Sequence, residues 1–105
     1  MNTNNKKNIV IKIGTTSIIK NDKVDLTLLK SLAELIIENN NQFNFVIVTS
    51  GAVGLGATKL NYKSRPKSLK RLQVASAVGQ IELINQYEKI FKDKKMNIAQ
   101  VLITK

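Results

Sequence analysis

Neither cysteine nor histidine occurs in this 105-residue chain. Their absence excludes disulfide frameworks, thiolate nucleophiles, zinc sites built on either residue, and every Ser-His-Asp or Cys-His arrangement. No apolar run approaches the roughly 18 residues that a membrane-spanning helix needs. The stretch Met1 to Asn8 is polar and lacks the apolar core of a secretory signal, so the chain reads as cytoplasmic. Carboxylates are few: seven Asp and Glu in all, none directly after an apolar strand, where a metal ligand or general base would sit. Asp22, Asp25 and Asp93 read instead as turn or cap residues, and no metal site is expected.

What is present is cationic. Seventeen Lys and Arg leave a net charge of +10, which favours phosphate esters, nucleic acid or anionic surfaces as partners. Only two of the seventeen are Arg, fewer than a site built on planar bidentate forks would use. Ile, Asn and Lys make up 40 of the 105 residues, which fits a coding bias toward A and T as well as selection for a basic surface. A solvated lysine-rich face is the plain alternative. Apolar residues at 43% and a mass of 11.7 kDa suit one small domain with a core.

Along the chain, Asn8 to Ile13 reads as a β-branched strand ended by Gly14. An irregular or hairpin piece is expected through Ile18 and Ile19, turning at Asn21 and Asp22. Asp25 or Thr27 caps a helix whose inner face carries Leu29, Leu32, Ala33 and Ile36, and Asn39 to Asn41 stop it. Phe43 to Thr49 is a second strand, apolar enough for a parallel strand covered on both faces. A glycine-rich segment, Ser50 to Gly56, leads to a helix, and a polar loop spans Leu60 to Pro66. The longest periodic stretch runs from Leu69 to Phe91, with Leu72, Ala75, Val78, Ile81, Ile84, Tyr87 and Phe91 as its apolar stripe. Gly79 interrupts that stripe and signals close packing. A turn at Lys92 to Lys95 precedes a third strand, Ile98 to Ile103. The order of elements predicts an α/β fold with a mainly parallel sheet. The chain stops two residues after Ile103, where a functional loop is expected, so it reads as cut off.

Two strand ends could carry chemistry. Lys12, Gly14, Thr15, Thr16 and Ser17 offer one ammonium, free backbone N–H groups and hydroxyl donors, a compact cradle for an anion. Equally, Lys12 could snorkel from an edge strand while Gly14 merely turns the chain. Ser50, Gly51, Ala52, Gly54 and Gly56 would let backbone approach a ligand closely, or serve tight helix–strand packing. This is no Walker A loop, and Lys59 stands where a dinucleotide fingerprint needs its third glycine. A third feature is the basic stretch Lys59, Lys63, Arg65, Lys67, Lys70 and Arg71, which has no acidic residue and only Tyr62 as a stacking platform.

Ile9 to Thr15, then Val46 through Gly51-Ala52, then Gln73 to Gln80 ending Ala-Val-Gly-Gln, resemble in order and spacing the start of the amino acid kinase family. Gln100 to Thr104 falls where those proteins carry their next strand, so virtually the whole chain is covered. Within that family the combined motifs are similar to the branch that phosphorylates glutamate, rather than those acting on acetylglutamate, aspartate or uridylate. The resemblance implies transfer of the ATP γ-phosphoryl group to the side-chain carboxylate of L-glutamate, with Mg2+, as the first step of proline synthesis. It also implies a three-layer α/β sandwich and a homo-oligomer. Residues 1–105 would be the amino-terminal, acceptor-binding part of the domain. Lys12 resembles the catalytic lysine that steadies the phosphoryl group in flight. Gly14 and Thr15 would belong to the adjoining phosphate-contacting turn, while Ser50, Gly51 and Ala52 would hold the substrate. Thr16 stands where many relatives have serine, which keeps the hydroxyl.

The same resemblance implies that further grips on glutamate, a second catalytic lysine and the nucleotide-binding half would lie beyond Lys105. The chain alone is therefore expected to be inactive, with an exposed edge on its last strand. Two alternatives stand beside this: a non-enzymatic binding module or half of a two-chain assembly, and, less well supported, a basic nucleic-acid-binding domain.

Overall fold

The computed structural model describes residues 6–100 and divides into two compact units at the Gly51–Ala52 bond. The first holds β1 (Lys7–Ile13), α1 (Thr15–Ile18), β2 (Ile19–Lys20), β3 (Lys23–Val24), α2 (Leu26–Asn39) and β4 (Phe43–Thr49). The second holds α3 (Ala52–Lys59) and α4 (Leu69–Asp93).

In the first unit β1 and β4 pair in parallel, Lys7 beside Phe43 through Ile13 beside Thr49. Parallel neighbours need a crossover connection, and here it contains α2. Side chains alternate across the pair, so Ile9, Ile11, Ile13, Phe45 and Ile47 share the more buried face. The opposite face carries Val10, Val46 and Val48, which are 60%, 51% and 46% exposed. Within the first unit, then, β4 is covered on one face, where its apolar run leads one to expect cover on both. Ile18 and the α2 residues Leu29, Leu32, Ala33 and Ile36 complete the unit's buried set, with the α2 face as expected from its spacing.

The segment after Gly14 is more regular than expected. It forms one helical turn, α1, and then a small antiparallel hairpin, β2–β3, whose turn residues Asn21 and Asp22 have φ of 53° and 62°. Left-handed Asn and Asp are what a two-residue hairpin turn selects. Asp25, not Thr27, caps α2: its Oδ1 accepts from the N–H groups of Thr27 and Leu28 at 3.1 and 3.2 Å. Its Oδ2 lies 3.2 Å from Lys20 Nζ, and its N–H donates to the Ile18 carbonyl at 2.7 Å. Asp25 thus ties hairpin and α2 together through its carboxylate, and the helical turn through its backbone N–H. The backbone N–H of Leu28, then the Lys20 ammonium, hold it below the ordinary aspartate range.

In the second unit, α3 and α4 touch backbone to backbone. A Cβ at Gly56 would overlap the Ala75 carbonyl, and one at Gly79 would overlap that of Ala52. Gly79 does mark close packing, as its sequence context predicts. Gly54 and Gly56, expected in a loop, lie inside α3 because the helix begins at Ala52. The buried stripe of α4 is Ala75, Gly79, Leu83, Tyr87, Ile90 and Phe91, whereas Ile81 is 64% exposed. The expected stripe steps by threes from Leu72 and drifts around the helix. The real one steps by fours through Gly79, which is a member of the contact face and not a gap in it. Ser68 caps α4 by accepting from Arg71 N–H at 3.2 Å. Past the turn at Lys94 and Lys95, residues 96–100 have no regular structure, and the remainder of the expected third strand lies outside the described residues. The architecture is α/β with a parallel sheet of two strands, a small and partial form of the expected sandwich.

Gly56→Ala and Gly79→Ala should each destabilise the protein by about 1–3 kcal/mol, by forcing the helix backbones apart. Gly54→Ala, where a Cβ meets open space, should stabilise it by about 0.5–1 kcal/mol; urea unfolding of the three variants checks both signs. Because the folded pKa of Asp25 is depressed, its contribution is present above the ordinary carboxylate pKa and is lost as pH falls through the folded value. Unfolding midpoints should therefore drop at acid pH less steeply in Asp25→Asn than in the parent chain.

Candidate functional site

β1 and β4 are unstaggered, so their carboxyl ends stop level. The pairing continues one step beyond β4, where Ser50 N–H donates to the Ile13 carbonyl at 3.0 Å. The turns Gly14-Thr15 and Ser50-Gly51 therefore leave the sheet side by side, at the edge where α/β sheets place their ligands.

Gly14 has φ −78° and ψ 164°, a conformation open to any residue, and a Cβ there would meet nothing within 4 Å. Neither backbone geometry nor packing asks for glycine at this position. Among the described residues no backbone acceptor takes the N–H of Gly14 or Thr15, while the Gly14 carbonyl accepts from Ser17 and Ile18 at 3.1 Å each. Thr15, Thr16 and Ser17 are exposed. A bare Cα beside unspent donors and free hydroxyls suits the close approach of an anion.

Gly51 is glycine for another reason. Its φ is +110°, and an added Cβ would lie 3.0 Å from Ile19 Cγ1 and 3.2 Å from Ile18 Cγ2. The close approach at Gly51 is thus made by this chain's own Ile18 and Ile19. Those two residues, which pin the second turn onto the segment after the first, were not foreseen as part of the site. Their signal was a β-branched pair directly after the hydroxyl run. Ser50 is exposed beside Gly51, and its carbonyl accepts from Thr49 Oγ1 at 3.3 Å. Ala52 opens α3 in the second unit, with its carbonyl against Gly79.

Lys12 pairs with Val48 across the sheet and projects from the face that bears Val10, Val46 and Val48. It is exposed, and no carboxylate among the described residues lies within ion-pair distance of it. The strand pairing thus brings Lys12, Gly14, Thr15, Ser50 and Gly51 to one end of one sheet.

This donor set fits a phosphoryl group: one uncompensated cation, free N–H groups and hydroxyls. It does not fit a divalent cation. Neither turn contains a carboxylate, and no group of three or more acidic side chains among the described residues could hold a metal ion. None of the described helices is long and apolar enough to cross a membrane.

Comparison with known proteins adds the family. The sequence profile of the amino acid kinase family matches residues 7–105. A glutamate 5-kinase of Prochlorococcus marinus is 46% identical over 104 residues, an alignment that covers 94% of this chain and 28% of the relative. The glutamate 5-kinases of Clostridium tetani and Enterococcus faecalis are 39% and 41% identical over 101 residues, covering 94% of this chain and 38% and 37% of their own. The chain thus spans about a third of the length of these relatives.

The two turn glycines should separate on substitution. Gly14→Ala should leave stability within about 0.5 kcal/mol of the parent, whereas Gly51→Ala should cost about 1–3 kcal/mol through its left-handed φ and the Ile19 contact. Equal losses in thermal unfolding would mean that Gly14 is a structural glycine after all.

Proposed function

The chain belongs to the amino acid kinase family, and from that premise we propose that it forms the acceptor-side part of a glutamate 5-kinase. The reaction would join a side-chain carboxylate oxygen of L-glutamate to the γ-phosphorus of ATP, with ADP leaving. The observation that supports this most is the level meeting of two turns: one bare and rich in donors at Gly14-Thr15, the other bearing an exposed serine at Ser50. An acceptor carboxylate at Ser50 would stand beside a phosphoryl group at Gly14.

Phosphoryl transfer needs little covalent help from the protein, and most of the effect comes from positioning and charge stabilisation. Lys12 supplies an uncompensated ammonium for the equatorial oxygens, and the Gly14 and Thr15 N–H groups supply fixed dipoles. Ser50 orients glutamate. Gly51 contributes indirectly, since its fit onto Ile18 and Ile19 sets the distance between the turns. ATP is the donor that the family implies; these turns would meet only its terminal phosphate, and Mg2+ receives no ligand from them. A cytoplasmic setting, where both substrates are free, and assembly of the whole enzyme as a homo-oligomer accompany this proposal.

The test uses a chimera in which this chain replaces the matching segment of the Clostridium tetani relative. It should phosphorylate glutamate. Lys12→Ala in the chimera should lower kcat by about 100-fold to 1,000-fold, with KM for glutamate changed by less than about threefold. A folded chimera without activity, or kcat and KM damaged equally, would contradict the assignment.

A further inference from the structure

Between Glu38 and Glu82 the chain contains no acidic residue, yet six cations fall in that interval. Lys59 is accounted for by Glu82 at 3.6 Å. Lys63, Arg65, Lys67 and Arg71 are not: they line one open cavity of about 700 Å³ in the connection from α3 to α4, with hydroxyls of Tyr62 and Ser68 and no carboxylate. No carboxylate among the described residues lies within ion-pair distance of these four.

The cavity walls are held by specific bonds. Asn61 takes a left-handed φ of 60° at the end of α3, and Tyr62 N–H returns to the Ala57 carbonyl at 2.8 Å. Pro66 is buried, and Ser68 fixes the start of α4. Four like charges gathered on such a frame repel one another, and an anion seated among them relieves that repulsion.

We propose that this cavity binds a small molecule carrying two or more linked phosphate groups, independently of the Lys12 turn. Two observations favour a small ligand over a nucleic-acid strand. The volume falls in the range of single small-molecule sites. The lining holds a single aromatic ring, Tyr62, which carries the Arg71 guanidinium 5.8 Å from its centre, and one ring offers no succession of platforms on which bases would stack. Recognition is then of phosphate charge, by Arg forks and Lys ammonium groups. The affinity should fall with salt.

Isothermal titration of the 105-residue chain with inorganic tripolyphosphate tests this. One-to-one binding is expected, at least about tenfold tighter than that of orthophosphate and weakened about tenfold or more by Arg65→Gln with Lys67→Gln. Ser64→Glu, which sets a carboxylate in the same wall, should weaken it as well. Both altered wall segments are exposed, and circular dichroism checks that the variants remain folded. The proposal is overturned by absence of saturable binding, by binding that depends on Lys12 and not on Arg65 and Lys67, or by preference for a single-stranded oligonucleotide with affinity rising with its length.

Discussion

The parallel pairing of β1 with β4, carried one residue further by the Ser50–Ile13 hydrogen bond, is the constraint on which the site depends. Strands that run parallel and stop level must release their next residues at the same edge. Here those residues are a glycine followed by hydroxyls on one side and a serine followed by glycine on the other. A shift of register by one residue would move Lys12 to the opposite face and part the two turns.

Glycine does three different things in this chain, and the differences explain what could be seen in the sequence. Gly56 and Gly79 let α3 and α4 touch; Gly51 holds a left-handed turn against Ile18 and Ile19; Gly14 has neither role. The close packing at Gly79 was legible, since a glycine inside a strongly periodic helix has few other uses. The role of Gly56 was not, because a glycine-rich stretch after a strand looks the same whether its partner is a ligand or a neighbouring helix. Only the packing partner, Ala75 in α4, tells the two apart.

Local signals are plain elsewhere in the sequence. Asp25 as a cap, the turn at Asn21-Asp22, and the inner face of α2 follow from short-range chemistry that the sequence states directly. What depends on tertiary partners is not legible there: the burial phase of α4 and the short helix at Thr15–Ile18. The sequence order places Lys12, Gly14 and Thr15 at one strand end and Ser50 and Gly51 at another, whereas the meeting of the two ends through the β1–β4 pairing, and the pinning of Gly51 by Ile18 and Ile19, are visible only in the fold. The basic run could be seen as a run, but its gathering around one cavity could not.

Amide hydrogen exchange, followed residue by residue by NMR, examines the strand-end geometry most directly. Ser50 N–H should exchange slowly, with a protection close to that of β1 and β4, because it completes their ladder. Gly14 and Thr15 N–H should exchange at nearly the rate of an unstructured chain, since no backbone acceptor takes them and the space beside Gly14 is open. Fast exchange at Ser50, or strong protection at Gly14 and Thr15 without any added ligand, would contradict an open, donor-rich turn held in place by the strand pair.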